Sequence, residues 1–214
     1  TAIMNKIKAC AFDLDGTIYY ENQLIDGVIE ILNFLKENNI EIFYFTNNSR
    51  ETREEIYKKL LTMGLDLQLQ KVYSATYGTA VYLRENKINN VYSMGADGLT
   101  RELKLHGINV RAEDVEAIII GLHHDFNYLK LTEAVNIIME NNCKIIACNR
   151  DRTYPGKDNK IMAGCGSIVA AVEEACGKKV DFVTGKPNNY MLKLLSKDWT
   201  LSNNQILVVG DSYE

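Results

Sequence analysis

Two aspartates, Asp13 and Asp15, lie two residues apart in the run C-A-F-D-L-D-G-T, directly after an apolar stretch. Carboxylates held that close repel each other, which favours a shared cation or one proton between them. Magnesium takes a few carboxylate oxygens and completes its shell with water and phosphate oxygens. In that setting Asp13 could attack phosphorus and form an acyl phosphate. Asp15 could give a proton to the leaving oxygen and later take one from water. The same residues are compatible with an Asx turn or a helix N-cap at a strand end. A calcium loop of EF-hand type fits badly, because its required glycine falls on Ile18 and its bidentate glutamate on Leu24.

Three more polar clusters follow apolar runs. Thr46 and Asn47 end E-I-F-Y-F-T-N-N-S, where a hydroxyl and backbone N–H groups could grip phosphoryl oxygens or cap a helix. Either Asn48 or Ser49 is expected to cap the helix that follows. Lys186, in G-K-P, could offset charge gathering on a phosphoryl group, or be a solvated turn lysine. Asp211, in V-V-G-D-S, is a further acid suited to magnesium, or another cap.

The elements that must position these clusters alternate between short apolar strands and amphipathic helices, the pattern of a parallel α/β sheet. Strands are predicted at 7–12, 41–45, 90–94, 117–121, 144–148, 180–183 and 205–209. Helices are predicted at 28–37, 52–63, 76–84, 98–106, 128–140, through Glu174 and up to Leu195. Gly64 is the expected C-cap of the second helix. Residues 149–160 read as a loop. All four clusters then stand at strand ends, and the carboxyl ends of parallel strands line one crevice. Residues far apart in sequence can meet there, around a single hydrated dication.

The chain has 214 residues and a formal net charge of −4, with no Lys/Arg run, so it lacks the electrostatic footprint of a nucleic-acid binder. No apolar stretch approaches the roughly 18 residues needed to span a bilayer, and the first residues do not form a signal peptide. Five cysteines without a C-x-x-C pair point to a reduced, cytoplasmic protein.

With these motifs in order, the chain resembles the haloacid dehalogenase superfamily of phosphohydrolases. F-D-L-D-G-T looks like its first motif, F-T-N-N-S its second, G-K-P its third and V-V-G-D-S the start of its fourth. The resemblance implies a Rossmann-like parallel core at 1–74 and 181–214 with an inserted α/β cap at 75–180. It implies Asp13 as nucleophile, Asp15 as general acid/base, Thr46 and Asn47 as phosphate contacts and Lys186 as charge neutraliser. Magnesium would be held by Asp13, the backbone carbonyl of Asp15, and Asp211. The second aspartate favours a phosphatase over a dehalogenase. The segments I-I-G-L-H-H-D-F-N-Y-L-K-L, A-C-N-R-D and G-C-G-S-I-V-A-A-V-E are similar to the large cap of the NagD-like and para-nitrophenyl phosphatase group. By that analogy Asn149, Arg150, Asp151, Gly164, Cys165, Gly166 and Ser167 face a small phosphomonoester, such as a nucleotide, a sugar phosphate or phosphoglycolate. Cap-to-cap dimers occur in such relatives, so a homodimer is compatible with the resemblance. Two departures stand out. His123 and His124 replace the usual proline and acidic residue and read as loop residues rather than metal ligands. The family's fourth motif also carries a second acid and further strands beyond Asp211, so the C-terminal part of the core is expected to be missing. The other readings left open are a phospho-ligand-binding regulator that has lost catalysis and a phosphotransferase using the same aspartate.

Overall fold

In the computed structural model the chain is described from residue 6 to residue 210. It divides into two compact units. One comprises the chain up to Thr46, Arg53–Tyr73 and the chain from Asn189; the other comprises Asn47–Thr52 and Ser74–Asn188.

The first unit is built on β1 (Ala9–Asp13), whose five residues are all buried. A short antiparallel hairpin of β2 (Tyr19–Tyr20) and β3 (Gln23–Leu24) follows it. Next come α1 (Val28–Glu37), β4 (Glu41–Thr46), α2 (Arg53–Thr62) and β5 (Val72–Ser74). Gly64, at φ 106, closes α2 in the left-handed region that only glycine enters freely. The strand order is β13-β1-β4-β5, where β13 is Ile206–Val209, the last strand of the described chain. β1 is therefore flanked on both sides, and both of its pairings are parallel.

Period-two alternation along β1 and β4 sends side chains to opposite faces. Cys10, Phe12, Ile42 and Tyr44 pack with Val28 and Leu32 of α1 and with Ile56 and Leu60 of α2. On the other face Phe43 meets Trp199, at the end of α7 (Tyr190–Trp199), edge-on at 5.2 Å. The Lys71 ammonium sits 4.6 Å from the Phe43 ring centre and 4.2 Å from that of Trp199, and it pairs with the Glu41 carboxylate. A lysine only 8% exposed is thus compensated by a carboxylate and two ring faces.

The second unit runs through α3 (Ala75–Glu85), β6 (Asn90–Met94), α4 (Asp97–Leu105), β7 (Asn109–Val110), β8 (Ala117–Ile120), α5 (Tyr128–Asn141) and β9 (Lys144–Ala147). It continues with β10 (Thr153–Pro155), β11 (Ile161–Ala163), α6 (Cys165–Cys176) and β12 (Phe182–Val183). Its five-stranded sheet has the order β12-β9-β8-β6-β7, and every pairing is parallel. β8 is buried on both faces, as the uninterrupted A-I-I-I run requires. Ile118 and Ile120 pack with Ile137 and Ile138 of α5 and Ile168 and Val169 of α6, whereas Ala117 and Ile119 pack with Leu83 of α3 and Leu99 and Leu103 of α4. Each fully buried isoleucine contributes about 1.5–3 kcal/mol.

Two details differ from the sequence expectation. Residues 149–160 are not wholly loop, because Thr153–Pro155 pairs antiparallel with Ile161–Ala163. Three-residue strands around an Asp-Asn-Lys turn carry too few apolar positions to show a period. Residues 181–188, expected with the first unit, pack in the second, because β12 adds to the edge of β9.

Candidate functional site

In the first unit, Asp13 is the last residue of β1 and lies abreast of Phe45, one step before Thr46. On the other flank Phe12 pairs with Val209, which places Asp13 beside Gly210. Neighbouring strands are about 4.8 Å apart, so Asp13, Thr46 and Gly210 share one short stretch of the carboxyl edge. The chain leaves β1 towards β4 on one side, while β13 returns on the other. The gap between β1 and β13 is therefore the topological switch point, where open α/β sheets bind ligands.

The contact at that gap is close. A Cβ built on Gly210 would lie 2.3 Å from Asp13 Oδ2 and 2.8 Å from its Cγ. The Asp13 carboxylate thus lies over the main chain leading into Asp211, which itself falls outside the described residues. Asp13 and Thr46 are 8% and 4% exposed. After Asp13 the chain turns tightly: the Leu14 carbonyl accepts from the N–H groups of Thr17, Ile18 and Tyr19, and the Gly16 N–H donates to the Tyr19 carbonyl at 2.9 Å. Gly16 takes φ 78 there, a left-handed value suited to glycine. This turn leaves Asp15 exposed while Asp13 is buried. Among the described residues, the Thr17 hydroxyl is buried without a hydrogen-bond partner. It belongs to the D-x-D-G-T turn, but the sequence reading gave it no part. Hard carboxylate oxygens at a crevice where glycine leaves room for the carboxylate are the donor set that magnesium prefers. Of the expected ligands, Asp13 and Asp15 lie among the described residues and offer oxygens of the type magnesium takes, although no group of three or more side chains able to hold a metal ion gathers among those residues.

In the second unit, four of the sequence-predicted residues form one hydrogen-bonded cluster. Asn47 Oδ1 accepts from the Lys186 N–H at 2.8 Å, and Asn47 Nδ2 donates to the Lys186 carbonyl at 3.0 Å. The same Nδ2 is 3.1 and 3.2 Å from the two carboxylate oxygens of Asp151. Asn149 Nδ2 donates to the Asn47 carbonyl at 2.7 Å, and Asn149 Oδ1 accepts from the Asp151 N–H at 3.0 Å. The bond between Lys186 and Pro187 is cis.

The remaining candidates have packing reasons for their identities. A Cβ on Gly164 would lie 2.2 Å from the Asp151 carbonyl oxygen, and one on Gly166 would lie 2.4 Å from that of Arg150. The two glycines let the 150–152 backbone run against the start of α6, where the Gly166 N–H donates to the Asp151 carbonyl at 2.7 Å. Cys165, between them, is 2% exposed, with its thiol near the Ile120 carbonyl, and burial raises its pKa. Ser167 Oγ donates to the Gly164 carbonyl at 2.6 Å. Arg150 forms a fork with Glu173, at 3.1 and 2.8 Å.

The adjacent histidines diverge. His123 Nδ1 accepts from the Asp125 N–H, and its Nε2 lies 3.3 Å from the Lys130 ammonium. Burial, and then that ammonium, lowers its pKa. His124 Nε2 is 2.6 Å from the Tyr154 hydroxyl. Ser49, a candidate helix cap, instead accepts the Leu122 N–H at 2.9 Å, while Asn48 Oδ1 accepts from the N–H groups of Arg50 and Glu51.

The fold agrees with what the chain is similar to. The sequence model of the haloacid dehalogenase-like hydrolases matches residues 10–109. An acid sugar phosphatase of Staphylococcus saprophyticus is 32% identical over 99% of the chain and 81% of its own length. The solved 4-nitrophenylphosphatase of Thermotoga maritima superposes with a TM-score of 0.92 at 28% identity, over 98% of this chain and 80% of its own. A solved nagD protein gives 0.91 at 29% identity, over 97% and 82%. The chain belongs to the haloacid dehalogenase-like hydrolases, in the branch of NagD and the para-nitrophenyl phosphatases, and by that membership it is a phosphomonoester hydrolase.

Proposed function

We propose that this hydrolase cleaves a small phosphomonoester by passing the phosphoryl group through Asp13. A carboxylate oxygen of Asp13 forms a bond to phosphorus as the bond from phosphorus to the ester oxygen breaks, and Asp15 delivers a proton to that leaving oxygen. Water then attacks the aspartyl phosphate, Asp15 takes its proton, and the bond from phosphorus to Asp13 breaks to release inorganic phosphate. The Thr46 hydroxyl and the Asn47 N–H are assigned to the phosphoryl oxygens, and the Lys186 ammonium offsets their charge. Magnesium would be held by Asp13, the Asp15 carbonyl and Asp211, and would supply positive charge that offsets the repulsion between a carboxylate and a phosphate dianion. The second unit is assigned the role of a substrate-selecting cap, and Asn149, Asp151 and the start of α6 are assigned to substrate selection by the family resemblance. Unpaired thiols fit a reduced, cytoplasmic setting.

The observation that carries this reading is the Asp13 carboxylate lying against Gly210 at the switch point of the sheet. The test is magnesium-dependent release of phosphate from para-nitrophenyl phosphate and from a panel of phosphorylated metabolites. Asp13→Asn should abolish turnover and leave the circular-dichroism spectrum and melting temperature unchanged. Turnover within tenfold of wild type in that variant would sink the assignment. Chelation with EDTA should stop release, and added magnesium should restore it.

A further inference from the structure

A carboxamide has two N–H donors and one oxygen acceptor. At Asn47 both kinds of group are turned on a single residue, Lys186: Oδ1 takes its N–H at 2.8 Å and Nδ2 gives to its carbonyl at 3.0 Å. One side chain thereby does for Lys186 what a neighbouring strand does for a residue in a ladder. Nδ2 is also within 3.2 Å of both Asp151 oxygens, so its hydrogens point at protein acceptors. The grip needs Asn47 itself to be fixed, and Asn149, only 4% exposed, holds its carbonyl at 2.7 Å. It also needs the chain before Lys186 to come close. A Cβ on Gly185 would lie 2.6 Å from the Cys148 carbonyl oxygen and 2.7 Å from Asn47 Oδ1, so only glycine lets that approach occur.

From this geometry we propose that the Asn47 side chain is a positioning residue: it latches the Lys186 main chain, ties it to Asp151, and so sets where the Lys186 ammonium starts from. The proposal rests on the phosphatase reading for its kinetic consequence but not for the latch itself. The Asn47 side chain then contributes to turnover through Lys186, whereas its backbone N–H remains the group assigned to phosphate.

Two measurements on the whole chain test this. The first is amide hydrogen exchange in wild type and Asn47→Ala, which needs no activity. Loss of Oδ1 should speed exchange of the Lys186 amide at least tenfold. The Gly185 amide, which donates to the Cys148 carbonyl at 2.7 Å, should keep its protection. An unchanged Lys186 amide, or equal loss at both residues, overturns the latch. The second is a double-mutant cycle on para-nitrophenyl phosphate with Asn47→Ala, Lys186→Ala and both together. Acting through Lys186, Asn47→Ala should lower kcat in the wild-type background but change it less than threefold where Lys186 is already alanine. Effects that multiply, or no effect of Asn47→Ala alone, overturn the positioning role. Should Asn47→Ala lose its fold, Asn47→Ser, too short to span to Lys186, carries the same expectations. A wild type that releases no phosphate would count against the phosphatase reading alone, because the exchange result stands apart from it.

Discussion

At position 210 one methyl group separates two arrangements of the Asp13 carboxylate. Alanine there would put a carbon 2.3 Å from Oδ2, far inside van der Waals contact, and the obstacle is the carboxylate itself rather than the end of a long flexible chain. The cheapest relief is rotation of Asp13 away from the gap between β1 and β13. A misplacement of about 1 Å of a reacting group costs on the order of a hundredfold in rate. Gly210→Ala should therefore lower kcat on para-nitrophenyl phosphate by about that factor while the melting temperature moves by only a few degrees. Turnover at the wild-type rate would mean that Asp13 has slack at this contact. The D-x-D spacing announced Asp13, but Gly210 carried no signal of its own. A glycine before an aspartate is common in turns, and only the register of β13 against β1 shows what it makes room for.

Between elements, the loop after β9 is fastened to α6 by a charged fork. Glu173 is 5% exposed and accepts from Arg150 and, at 2.8 Å, from the Val180 N–H. The Arg150 hydrogen bond comes first among the causes that hold its carboxyl below the ordinary value of 4.5. A carboxylate whose pKa is lower in the folded state adds stability above the unfolded value and loses it as pH falls through the folded one. Arg150→Met should cost about 2 kcal/mol at neutral pH, the scale of a lost charged hydrogen bond. The deficit relative to wild type should shrink in denaturant melts below pH 4.5. A deficit that stays constant with pH would mean the loss is only packing. At this scale the sequence was informative in uneven ways. The strands and helices with clear periods, such as β8 and α1, were legible, and so was the place of Asp13 and Thr46 at the ends of two neighbouring strands. The N-R-D and G-C-G-S segments were singled out only through the family resemblance, and their packing against each other was not legible. Glycines 164 and 166 admit the backbone of 150–152, and Arg150 is paired with an acid 23 positions on. Neither distance leaves a mark in local pattern. The β10–β11 hairpin was missed because three-residue strands are too short to show alternation.

Across the molecule, the five thiols are all unpaired, and four of them are buried. Cys148 is fully enclosed, and burial pushes its pKa up to about 12. Burial also raises those of Cys10, Cys143 and Cys165. A thiol that is both enclosed and protonated reacts slowly. The native protein should therefore give one fast equivalent with an aromatic disulfide reagent at neutral pH, from Cys176, and five in guanidinium. Two or more fast equivalents would show that one of the cores opens under native conditions. Among the described residues no helix is long and apolar enough to cross a membrane.

The strand order also bears on how the protein is made. β1 leaves the ribosome well before one of its two partners, β13, because the second unit is synthesised between them. Until β13 emerges, β1 stands with an open edge, which must be kept from pairing wrongly. The second sheet lies within a nearly continuous stretch and can close far earlier in synthesis. Asp13 and Gly210 come together only when β13 docks, so a nascent chain can already hold the whole second sheet and still lack the gap on which the proposed chemistry depends.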